Sequence, residues 1–308
     1  MLSLTAAHSD AQARFERHQR YVHHSHENAA GFTSDVYASW ILLAYASYEA
    51  ALRNLGEATI GHLGQFAPTP ADLPDDIRRA HAERVVRRAS EAFSQRVPSR
   101  GQDIDPEDFL SRAFGSDWAS VSVLLRIEKN GWVQNVREWL RRVGAEDADM
   151  VWMREPYGSS TETLESFVDR LVGERNDLAH GDLPAATLSA DLMVEWIDAI
   201  SEFVRRIYLC LQVACARAFP AHVMRRFGDI DPDAPALSDM TAAFAVLHED
   251  VSVMQHALVI SDSGEVRAAR VASMQTESIG IEKATAGDER VAITFSRSIE
   301  RCAVFHCF

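Results

Sequence analysis

The stretch VGERNDLAHGDLP, residues 172–184, gathers three side chains able to act on a phosphodiester. Arg175 can bind phosphate through two N–H groups at once and hold charge that develops in a transition state. His180 belongs to the residue type that titrates near neutrality and can move protons. Asn176 stands four residues before His180, so the two share a helix face. His180 falls in a last helical turn, where the helix dipole favours an imidazolium. Gly181, just beyond, lets other backbone approach.

The helix that must carry these residues is expected to start near Ser159, which has the Ser-x-x-Glu spacing of a capping box with Glu162. Gly181 predicts a left-handed stop after His180, and Pro184 bars continuation. At about 100° per residue, Leu164, Phe167, Val168, Leu171, Val172, Leu178 and Ala179 span an apolar arc about 140° wide. Arg175 falls near the centre of that arc. Burying its guanidinium unpaired would be prohibitive. It therefore pairs with a buried carboxylate, snorkels out, or points into a polar site. Arg175 and His180 lie about 140° apart on an ideal helix. They meet if the helix unwinds near its end, if Arg175 reaches around, or if a second chain completes the site.

The surrounding sequence predicts more helices. Residues 10–28 form a polar, His-rich helix. Val36, Trp40, Leu43, Ser47, Ala51 and Leu55 recur at the three-and-four spacing of one helix face. A further helix runs from about Asp75 to Gln95, with Ala82, Val85, Val86, Ala89 and Phe93 inward. Short helices are expected around Asp108 and Val136. A long one spans Ser189 to Ala218, with Trp196, Ile200, Phe203, Ile207 and Leu211 as its inner stripe. The character changes after Pro220. Acidic, proline-containing residues 219–250 read as a linker. From 251 to 308, short segments rich in β-branched and aromatic residues alternate with turn formers, which predicts a small antiparallel sheet. The expected organisation is thus a helical domain over 1–218, a linker over 219–250 and a β domain over 251–308.

ERNDLAHG, residues 174–181, resembles the Arg-x4-6-His signature of HEPN domains in its Arg-Asn-x-x-Ala-His-Gly form. That form is typical of HEPN families in bacterial toxins and phage-defence proteins. Arg-to-His spacing of this length also occurs at Arg17–His23, Arg20–His26, Arg217–His222 and Arg301–His306. What sets 175–181 apart is the Asn, the Ala-His-Gly ending, and a position between an amphipathic helix and a long one. WILLAYASYEAAL is loosely similar to the family's early helix with aromatics and a Glu. The resemblance covers residues 10–218 at most. It implies a mainly α protein, a HEPN-like helical bundle that dimerises with the Arg and His of both protomers in one cleft. It also implies metal-independent endoribonuclease action in which the RNA 2′-OH attacks the adjacent phosphate. Carried over by position, Arg175 is the phosphate-binding residue, His180 the acid/base and Asn176 an orienting or binding residue. Asp177 falls at a variable position and takes no role.

The bulk numbers narrow the alternatives. The 308 residues carry 31 basic and 45 acidic side chains, a formal charge of −14. That argues against sequence-blind DNA binding, which depends on neutralising phosphates. A local basic face remains open to RNA: Arg84, Arg87 and Arg88 lie opposite the apolar side of their helix, either as an RNA-tracking stripe or as a solvated face. His18, His23, His24 and His26 lack regular ligand spacing, and no metal site or cofactor is expected. Cys210 and Cys215 fit small buried hydrophobes. The Asp231, Asp233 and Asp239 region lacks EF-hand spacing. Cys302 and Cys307 point to opposite faces of a straight strand, which rules out one metal site there. The N-terminal segment has no signal layout and no run suits a bilayer, so a cytoplasmic protein is expected. Three functions compete. One is an RNA-cleaving toxin or defence effector, with RNA, a homodimer mate and an antitoxin or defence-system component as partners. Another is a non-catalytic HEPN module that binds nucleotide or a partner protein. The third is a helical interaction protein in which Arg175 makes a core ion pair.

Overall fold

The computed structural model describes residues 3–27, 33–94, 105–121, 124, 131–158, 161–182 and 187–219, then 226–230, 242–247, 251–252, 256–261, 266–276, 279–285, 291–295 and 302–307. The chain divides into two compact units, Met1–Ala214 and Cys215–Phe308.

Helices build the first unit: α1 (Leu4–Glu27), α2 (Thr33–Phe66), α3 (Asp75–Ser94), α4 (Pro106–Phe114), α5 (Val133–Arg142), α6 (Leu164–His180) and α7 (Ala190–Ala218). A run of 3₁₀ turns, Asp147–Arg154, links α5 to α6. The last helix is the centre. Trp196, Ile200, Phe203, Ile207 and Leu211 are all fully buried, as their spacing predicts, and so are Met193, Ile197, Ala199 and Val204 around the rest of the helix. One apolar core joins α1, α2, α5, the 3₁₀ run, α6 and α7. Val85 and Ala89 of α3 pack with Phe109 and Ala113 of α4 in a separate cluster.

Several expectations need correction. Leu43 was expected to face inward, but it is 43% exposed. Because α2 packs against both α1 and α6, its buried arc is wider than one stripe and turns toward Tyr37, Ile41, Tyr48 and Leu52. Val86 of α3 faces out while Val85 is buried; Phe93 lies outside the described side chains. The His-rich helix is not uniformly solvated. His18 is buried, and His8 stacks on Tyr208 with ring centroids 4.3 Å apart. Cys210 does more than fill space, since its thiol donates to the Asp149 carbonyl at 3.0 Å and accepts from the Trp152 indole at 3.2 Å.

The second unit is an antiparallel sheet. Its strands are β1 (Arg226–Ile230), β2 (Ala242–Leu247), β4 (His256–Ser261), β5 (Val266–Thr276), β6 (Ile279–Ile281), β8 (Val291–Phe295) and β9 (Cys302–Cys307), and β3 (Val251–Ser252) pairs separately with β7 (Lys283–Ala284). β4 pairs with both β9 and β5, so the ring β1-β2-β8-β5-β4-β9 closes on itself. The linker expected over 219–250 is corrected here. β1 and β2 lie inside it, and Gly228 sits opposite Leu247 in their ladder. RFGDI and AAFAVL carry weak local strand preference, and strand formation depends heavily on cross-strand neighbours. Residues 231–241, with Asp231, Asp233 and Asp239, lie outside the described residues.

Candidate functional site

The helix carrying the motif begins later than expected. Thr163 caps α6, its hydroxyl accepting from the Ser166 N–H at 3.2 Å; Ser159 lies outside the described residues. The helix stays regular to His180. Gly181 then adopts φ 90°, a conformation glycine takes at little cost. Gly181 N–H donates to the Leu178 carbonyl at 3.1 Å, and Asp182 N–H to the Asp177 carbonyl at 3.0 Å. This double closure satisfies carbonyls that the helix end would leave open. Unwinding is therefore not how Arg175 and His180 could meet.

The two ends of α6 differ in burial. Leu164, Phe167, Val168, Leu171 and Val172 are buried, Leu178 packs against the same core from a half-buried position, and Ala179 and His180 are exposed. Arg175 is half-buried between these regimes. Its guanidinium lies over the Tyr45 ring of α2, with Cζ 4.7 Å from the centroid. It donates to the Asn176 side-chain oxygen at 3.1 Å. Among the described residues no carboxylate forms an ion pair with it. A core ion pair, one of the three expectations for this residue, is not found among the described residues. Glu174, the acid next to it in sequence, instead accepts from the Tyr37 hydroxyl at 2.7 Å. Burial and this carboxylate both raise the Tyr37 pKa.

The structure thus brings Arg175 and Asn176 together. Among the described residues no hydrogen bond joins His180 to either. Tyr45 and Tyr37 were not singled out in the sequence, although AYASY repeats aromatics along α2. Arg84, Arg87 and Arg88 lie on α3, where Glu91 pairs with Arg87 at 3.3 Å and with Arg88 at 3.4 Å. Their charge is therefore partly cancelled. No group of three or more His, Cys, Asp or Glu side chains is placed to hold a metal ion among the described residues. None of the described helices is long and apolar enough to cross a membrane.

The family described as RiboL-PSP-HEPN matches residues 13–212, more than half of the chain. The chain belongs to the HEPN family. The matched span begins inside α1 and ends inside α7, so it takes in α2 and α6, which carry Tyr45 and Arg175, and most of the core around them. HEPN domains are often ribonucleases, and they commonly bind RNA and form dimers. No curated protein and no solved structure matches the chain significantly.

Proposed function

We propose that this HEPN protein is a metal-independent endoribonuclease of the toxin or phage-defence type, acting in the cytoplasm. The carrying observation is Arg175: a guanidinium on a half-buried stripe that, among the described residues, is held by a ring and an amide rather than by a carboxylate. Such a cation keeps its charge for an incoming anion. In the reaction, the RNA 2′-oxygen forms a bond to phosphorus while the bond from phosphorus to the 5′-oxygen breaks. The 2′-OH proton passes to an imidazole and the leaving oxygen takes a proton from one. His180 supplies both roles, Arg175 binds the non-bridging oxygens and Asn176 orients the phosphate.

A regular helix up to His180 and an inward-leaning Arg175 favour a homodimer, in which the His180 of one copy completes the Arg175 of the other. Leu42, 48% exposed, precedes Tyr45 by three residues and shares its flank of α2, which supplies apolar surface beside the site. Arg84, Arg87 and Arg88 would track the RNA backbone. An antitoxin or defence-system component is the further partner expected for such an enzyme. One observation favours a non-catalytic HEPN module that binds nucleotide or a partner protein: within one chain, nothing described orients His180.

The deciding experiment incubates RNA, and DNA of the same sequence, with the protein in EDTA. RNA should be cut to 2′,3′-cyclic phosphate and 5′-OH ends, and DNA should survive because it lacks the nucleophile. Binding of RNA or nucleotide without any cleavage would select the non-catalytic module.

A further inference from the structure

We infer that Tyr45 is a positioning residue, whose ring face fixes the Arg175 guanidinium in the orientation that receives an anion. The inference rests on the reading of Arg175 as the phosphate-binding group.

Tyr45 is 5% exposed, so its ring cannot swing away from the core. Its hydroxyl sits against the Gly131 backbone. Tyr48, three residues on, donates its hydroxyl to the Gly131 carbonyl at 2.8 Å. Gly131 leaves no room for a side chain there, because a Cβ would lie 2.5 Å from a Tyr48 ring carbon. One stretch of backbone before α5 thus anchors two tyrosines of α2. Eight residues before Tyr45, Tyr37 holds Glu174. The residue preceding Arg175 is therefore fixed by one tyrosine of α2, and Arg175 itself rests on another.

The negative face of an aromatic ring attracts a cation without neutralising it. A carboxylate at the same place would orient the guanidinium equally well but would compete with phosphate for its donors. A guanidinium has five N–H donors in one plane, and the bond to Asn176 uses one of them. The ring contact confines Arg175, and among the described residues only Asn176 takes one of its donors, which leaves the others for an anion. If Tyr45 served only to fill the core, an aliphatic side chain of similar bulk would replace it without loss.

The test measures binding of a single-stranded 2′-O-methyl RNA to the full chain, a probe that lacks the nucleophilic hydroxyl and cannot be cleaved. Tyr45→Phe keeps the ring and should bind within about twofold of the wild type. Tyr45→Leu should weaken binding roughly 5- to 30-fold, the range expected for a cation–π contact of about 1–2 kcal/mol. A second series guards against misfolding. Phenylalanine carrying one, two, three and then five fluorines at position 45 drains the ring face at nearly constant shape, and affinity should fall stepwise. Affinity that stays flat across that series, or Tyr45→Leu binding like the wild type, overturns the inference. Arg175→Ala is the reference. If it weakens binding while the Tyr45 variants do not, only the Tyr45 inference fails; if it binds normally, the phosphate-binding reading of Arg175 fails first.

Discussion

Arg170 and Arg175 stand five residues apart on α6, and both lie over aromatic rings. Arg170 sits 4.5 Å from the Trp196 ring and 5.2 Å from Phe167, and Glu162 accepts from it at 3.1 Å. Arg175 sits 4.7 Å from Tyr45 with an amide in place of the carboxylate. The stacking is alike and the charge balance is not. Arg170 is neutralised by its own carboxylate, although its Nε is buried without a hydrogen-bond partner. Arg175 lies over one ring, and among the described residues no carboxylate pairs with it. An arginine on an apolar stripe is therefore diagnosed by what neutralises it, since both are half-buried and both lie over aromatic rings.

The largest test of that contrast is removal of the group proposed to move protons. His180→Ala should lower RNA cleavage roughly 10²- to 10⁴-fold with the fold intact, because the imidazole is exposed; single-turnover cleavage and circular dichroism check both parts. Next comes Arg175→Leu. Its loss of cleavage should be roughly 10²- to 10³-fold, by analogy with losing an oxyanion-type donor. A denaturant midpoint unchanged or raised would agree with an arginine that leaves no carboxylate behind, whereas unfolding would make Arg175 as structural as Arg170.

Acid offers a third test, and it separates fold from site. Burial pushes His18 down to about 4, weakly opposed by the Trp40 backbone, which lacks good hydrogen-bonding geometry to the ring. The unfolded chain binds that proton near pH 6.5 and the folded chain only near 4. Stability should be full above about pH 6.5 and fall as pH drops toward 4, by up to about 3 kcal/mol. His18→Phe should flatten that slope in pH-dependent melts. A pH–rate profile that persists in this variant then belongs to the site. Arg170→Met should cost on the order of 1–2 kcal/mol in stability and leave cleavage within a few fold. The smallest effect is expected from Arg84→Ala, Arg87→Ala and Arg88→Ala together. Two of these side chains already share Glu91, so RNA affinity should fall only a few fold, with a shallower salt dependence.

The legible parts of the sequence were those governed by local rules. The helices of the first unit follow from apolar spacing, and the stop after His180 follows from one glycine whose left-handed turn the structure contains. The inward lean of Arg175 was readable from helical phase. Its partners were not, because Tyr45 is 130 positions away and phase says nothing about which helix lies opposite. The same limit hid Leu43, whose exposure depends on where α1 and α6 land on α2. The strands β1 and β2 were missed for a related reason. RFGDI and AAFAVL become strands through long-range ladders, and the acidic, proline-bearing residues between them read as a linker in isolation.

Ring closure in the second unit fixes an order of events during synthesis. β1 pairs on one side with β2 and on the other with β9, whose last residue is Cys307. Until Cys302–Cys307 leaves the ribosome, β1 and β4 each lack a neighbour and the ring stays open. The helical unit has contacts close in sequence, above all between α1 and α2, which favours fast folding. Packing of α1 against α2 can therefore begin while the sheet still waits for β9. A ribosome stalled before Cys302 would carry an open ring with unpaired strand edges, the kind of surface that invites association with other chains.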